Sequence, residues 1–183
     1  MPVFARTKLV IHEECLEVAP GSPLPGRSYI KLNYSGPNPQ NIYYQLKKIF
    51  TTLFKIREDE IIEREFNWDR SKPEETLHTQ LEYIKDMDKF TFIQIRVTLD
   101  AKIRPSENFG KEGEATIKIE GWLRTEYPQD TLWQRSLIYE IFRTFFHKVL
   151  YKSTRKKYKE ECVSLINQLQ AEIKEFLNLL PRS

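Results

Sequence analysis

The sequence predicts an α+β domain, a curved antiparallel sheet in the order β-α-β(4)-α that closes on a long carboxyl-terminal helix. Three observations predict it. Between Ile62 and Arg124 several segments alternate apolar and polar residues with period two, the mark of strands with one covered face. One early segment instead repeats its apolar residues at helical spacing. From Thr131 to Leu180 there is neither glycine nor proline, so nothing local breaks a helix.

Phe4 to Val18 is rich in Val, Ile and Leu and reads as a first strand, followed by a loop at Pro20, Gly21, Pro23, Pro25 and Gly26. Ser28, Ile30, Leu32 and Tyr34 alternate with Tyr29, Lys31 and Asn33 as a second strand. Asn38-Pro39 offers a cap and a first-turn proline, and the helix it opens runs to about Ile56. Its stripe is Ile42, Leu46, Ile49, Phe50, Leu53 and Phe54. Ile62, Arg64, Phe66 and Trp68 form the next strand, with Arg64 as its one misfit. Leu77, Thr79, Leu81 and Tyr83 mark another, turned by Asp86-Met87-Asp88-Lys89. The clearest strand places Ile93, Ile95, Val97, Leu99, Ala101 and Ile103 on one face. After a loop from Pro105 to Gly113, Ala115, Ile117, Ile119, Gly121 and Leu123 complete the sheet, Gly121 marking a bend or a close backbone approach.

The carboxyl-terminal helix changes face. Leu137, Ile138, Ile141, Phe142, Phe145 and Val149 share a stripe that is expected to cover the sheet. Beyond Tyr158 a second stripe, comprising Cys162, Leu165, Ile166, Leu169, Ile173, Phe176, Leu177 and Leu180, lies roughly 110° around the axis. An unbroken helix here would span about 75 Å, so part of it either projects or turns back at a kink near Ser153-Thr154. The expected division is therefore a sheet-and-helix domain over residues 1–150 and a helical extension over 151–183, the latter an interaction element or a fold-back. Residues 158–180 are expected to meet a second copy or a protein partner.

Composition bounds the function. The chain has 183 residues, 40% of them hydrophobic and 30% charged, which suits one packed domain and excludes a disordered chain. A formal charge of +3 is too small to imply nucleic acid without regard to where the charges lie. Cys15 and Cys162 are far apart in sequence and are expected to be reduced thiols, neither a disulfide framework nor a metal box. With no signal-like segment and no long apolar run, the expected location is cytoplasmic.

No catalytic constellation emerges. His12, His78 and His147 are isolated, Asp86-Met87-Asp88 reads as a turn, and neither a phosphate loop nor a nucleophile elbow is present. Binding rather than catalysis is expected, with no cofactor and no metal. The first candidate site is a hydrophobic pocket between sheet and carboxyl-terminal helix, lined by Trp68, Ile95, Val97, Trp122, Phe142 and Phe145 and holding an apolar small molecule or lipid. The alternative is nucleic-acid, ribonucleoprotein or protein-partner binding through a basic helix. From after Glu140 to before Glu160 all charged residues are basic, and Lys148, Lys152, Arg155, Lys156 and Lys159 are interleaved with Phe and Tyr, a composition suited to RNA or to anionic lipid.

The order of elements from Ser28 to about Leu150 resembles the helix-grip architecture of START-like proteins and, more loosely, the repeat of the TATA-binding protein. The resemblance rests on element order alone, without a diagnostic motif. It implies a curved sheet gripping a terminal helix, with a cavity between them in the ligand-binding members. The chain departs from that pattern in having one helix after its early strands and fewer strands, which implies a smaller or collapsed cavity.

Overall fold

The computed structural model describes residues 8–16, 28–107, 109–129 and 131–179. The expected loop at Pro20–Gly26, the flanking residues 4–7 and 17–18, and Leu180 lie outside the described residues. Six strands form one open antiparallel sheet: β1 (Lys8–Glu14), β2 (Ile30–Pro37), β3 (Ile62–Asp69), β4 (Glu75–Asp86), β5 (Thr91–Ser106) and β6 (Gly110–Pro128). The order is β1-β6-β5-β4-β3, and β2 also pairs with β6. With 19 residues, β6 is long enough for both partners, β2 along residues 112–119 and β1 along 122–128.

The expected 105–113 loop is mostly strand, since Pro105 pairs with Lys111 and Arg104 with Glu112. Gly113 permits this, because a Cβ there would sit 1.9 Å from the Lys102 carbonyl oxygen. The misfit of Arg64 has an equally local cause. Glu63 pairs with Leu81 and Glu65 with Gln80, so Arg64 is the extra residue of a β-bulge. The bulge sends its guanidinium to Glu82 on the opposite face from Phe66 and Trp68.

Helix α1 (Asn41–Phe54) starts two residues after the expected proline, without a side-chain cap. Asn38 adopts φ 53°, and the N–H groups of Asn41 and Ile42 bond back to the carbonyls of Asn38 and Pro39. The stripe buries Ile42, Leu46, Ile49 and Phe50 as its spacing requires. α1 lies over the β3–β4 side of the sheet, where the Tyr43 hydroxyl donates to Glu63 at 3.1 Å and Phe54 stacks on Tyr83 at 4.3 Å.

The other half of the same face is covered by α3 (Lys152–Leu179), which carries Cys162, Ile166, Leu169, Ile173 and Leu177 into one core with Ile93, Ile95, Val97 and Leu99. This reverses the expected roles of the two carboxyl-terminal stripes. The second stripe grips the sheet and the first does not. The helix is interrupted by a π-helical turn over Phe146–Leu150 and a break at Tyr151, a few residues before the expected kink at Ser153-Thr154. Gly121 sets how closely α3 can approach, since a Cβ there would meet the Ile166 Cδ1 at 2.4 Å.

Cys15 and Cys162 are joined in a disulfide, contrary to the expected pair of thiols. The bond ties the end of β1 to α3 across a sequence separation of 147 residues. Both sulfurs are buried, and the Cys15 N–H donates to the Gly121 carbonyl at 3.0 Å, so one close strand–helix approach brings the two cysteines together. Spacing in sequence carries no trace of a contact this distant.

Candidate docking surface

Between β6 and α3 lies α2 (Leu137–Phe145), begun by Ser136, whose side chain accepts from the Tyr139 N–H at 3.2 Å. At ~100° per residue its apolar stripe and the pair Arg143 and His147 fall on opposite sides. The protein buries the polar side. Arg143 and His147 are 6% and 8% exposed, whereas Leu137, Phe142 and Phe145 are 72%, 65% and 52% exposed. Nine of the thirteen large apolar side chains exposed among the described residues fall between Leu132 and Leu150, and six of them share the stripe from Leu137 to Val149, so this segment presents an apolar ridge rather than scattered surface residues.

Polar contacts hold this segment to the end of the sheet. The Tyr127 hydroxyl donates to His147 Nδ1 at 2.9 Å when that nitrogen is unprotonated. The Tyr151 hydroxyl donates to Asp88 and accepts from Thr91 at 2.7 Å. Asp88 Oδ1 also takes the N–H groups of Phe90 and Thr91, so the acidic turn of the β4–β5 hairpin is committed to fixing its own loop and the start of α3. Burial pushes the Tyr127 phenol up to about 12 and raises that of Tyr151 as well. Burial and the nearby Arg155 and Arg143 charges hold His147 below its ordinary value. Arg143 meets Glu140 at 3.0 Å, but its Nη1 is buried without a hydrogen-bond partner among the described residues.

The basic run flanks the ridge. Arg155 and Lys159 are both drawn to Glu13, the latter at 3.5 Å, and Lys156 lies 3.9 Å from Glu160. Lys148 and Lys152 are exposed and have no ion pair among the described residues. An open depression lined by Val149, the acidic Glu13 and the cations Lys152, Arg155, Lys156 and Lys159 joins the basic flank to the apolar ridge. Four of the five basic residues named from sequence, Lys152, Arg155, Lys156 and Lys159, line this depression together with Glu13, which faces two of them.

The six residues expected to line a cavity do not converge. Ile95 and Val97 are fully buried beneath the helices. Trp68 packs at the edge of that core, with its indole N–H on Glu75 at 3.0 Å and the Arg70 guanidinium 3.6 Å from its ring. Trp122 lies on the other face of the sheet, beneath Arg96 at 5.0 Å. Phe142 and Phe145 belong to the outward ridge. Helical periodicity groups these two correctly with their stripe, yet it is silent on what the stripe faces.

The open face of the sheet is a charged mosaic. Glu82 is completely buried between Arg64 at 2.8 Å and Arg96 at 3.0 Å, and these pairs hold its carboxyl below the usual range against the opposing effect of burial. His78 bridges Asp100 at 2.6 Å and Glu65 at 3.0 Å, which raises its pKa. No local pattern singles out Glu82, whose burial depends on arginines from two neighbouring strands. Among the described residues, no cluster of three or more His, Cys, Asp or Glu side chains is arranged to hold a metal ion.

Comparison with known proteins leaves this geometry as the guide to function. No protein-family model matches the chain, and no curated protein sequence matches it. Among solved structures it is similar to a protein of unknown function from Staphylococcus aureus, at 8% identity and a TM-score of 0.26, over 84% of this chain and 96% of that one.

Proposed function

We propose that this protein is a binding module that docks through the outward ridge of α2 and the basic flank beside it. The observation that carries this reading is the inverted seating of an amphipathic helix, whose polar side is buried on its own domain and whose apolar side is left outside. Binding of an apolar small molecule between sheet and helix has less support, because α3 already fills the position over Ile95 and Val97. The cytoplasmic location expected from the lack of a signal-like segment and of a long apolar run sits poorly with the disulfide, since a formed disulfide accords with an oxidising setting.

The test compares the full chain with Ile141→Glu by sedimentation velocity and vesicle flotation. Ile141 is exposed, so the melting temperature should be unchanged while self-association or vesicle binding is lost. The reading fails if the wild-type protein does neither, or if all binding survives the substitution.

A further inference from the structure

We infer that the occupant of the α2 ridge is the headgroup–acyl boundary of an anionic lipid bilayer. This rests on the reading of the ridge as a docking surface and adds the chemistry of what it meets. Charge complementarity selects the occupant. Between Thr131 and Lys159 the chain carries eight Lys and Arg residues and one Glu, a local excess of seven in a protein whose total is +3. A second copy seated ridge to ridge would bring two such segments together, with like charges opposed around an apolar seam.

An RNA backbone would satisfy the charge but would leave Leu137, Ile138, Ile141 and Val149 against phosphate, where they gain nothing. An anionic bilayer satisfies both parts. The ridge can sink below the headgroups while Lys148, Lys152 and Lys156 on its flank reach the phosphates. The dimensions agree, since residues 137–149 present about 20 Å of helix lying along the surface. No described helix is long and apolar enough to cross a membrane, so this contact is one of lying on the bilayer. Trp133 and Leu132, 61% and 89% exposed, extend the ridge at its amino-terminal end with an aromatic side chain suited to the interface.

The experiment is flotation of the full chain with vesicles of phosphatidylcholine alone and of phosphatidylcholine mixed with phosphatidylglycerol. The expected result is binding to the mixed vesicles, about tenfold or more weaker on neutral ones, and weakened further by added salt. Ile138→Glu with Phe142→Glu should abolish binding. Lys148→Glu, Lys152→Glu and Lys156→Glu together should remove the preference for anionic lipid, and all five side chains are exposed in the free protein, so folding is not at stake. Equal binding to both vesicle types overturns the anionic occupant. If neither vesicle is bound but sedimentation shows a dimer that Phe142→Glu dissociates, the lipid inference falls and the docking reading stands. If there is neither vesicle binding nor association, both fall.

Discussion

Helices α2 and α3 follow one another in the chain and each carries an apolar stripe, the sharper one on α2, yet they sit on the protein in opposite senses. α3 presses Ile166, Leu169 and Ile173 onto the sheet until each is essentially inaccessible. The α2 segment is tied to the sheet end through His147 on Tyr127 and through Tyr151, with Arg143 buried beneath it, while its aliphatic and aromatic side chains stand outside. Amphipathicity thus says that a helix has a face to bury without saying where. The difference also sets stability, because an apolar seat contributes much more than a few hydrogen bonds whose partners were satisfied by water when unfolded.

The sharpest way to break this contrast is to truncate one side chain in each helix. Leu169→Ala should cost about 2–5 kcal/mol in urea unfolding, while Phe142→Ala should stay within about 0.5 kcal/mol. Equal costs would mean that the ridge is covered by its own chain. Next in size is the disulfide, which clamps α3 and leaves α2 untouched. Its reduction should lower stability by about 2–5 kcal/mol, read as a fall in melting temperature on adding reductant, because a long loop is no longer closed in the unfolded state. No shift would show that the clamp adds nothing to packing around Gly121.

Tyr151→Phe removes the hydroxyl that links Asp88 and Thr91 to the junction of the two helices. The expected cost is about 1–2 kcal/mol, with faster amide hydrogen exchange confined to residues 137–151. Uniformly faster exchange would mean that α2 and α3 open as one unit. The smallest effect is from pH. His147 is held below its ordinary value, so the unfolded chain takes up a proton that the folded one resists. Its stabilising contribution is complete above about pH 6.5 and declines as pH falls through the window below that value. Exchange in α2 should therefore quicken in mild acid, and His147→Gln should flatten the response. His78 has the opposite sign, because Asp100 and Glu65 raise it, and its contribution is present below about pH 6.5 and fades as pH rises through its raised value. Persistence of the acid response in His147→Gln would assign it to another group.

The order and type of the elements follow from local pattern. Alternation along Ile93 to Ile103 marks β5, and the stripe from Ile42 to Phe54 marks α1, because each pattern reflects which side chains share a face within a few residues. The candidate surface was legible in part. The basic run and both carboxyl-terminal stripes are visible in sequence, but their assignment to the sheet came out reversed. The π-helical turn at Phe146–Leu150, which separates α2 from α3, carries no proline or glycine to announce it.

Periodicity by itself determined that this chain would make a sheet, a covering helix and two distinct apolar helical faces. Only the tertiary structure decided that α3 takes the sheet while α2 faces outward, that Arg64 crosses a bulge to Glu82, and that Cys15 reaches Cys162. The physical reason is range. A face is set by neighbours three or four residues away, whereas its occupant is set by residues that chain topology brings from far along the sequence.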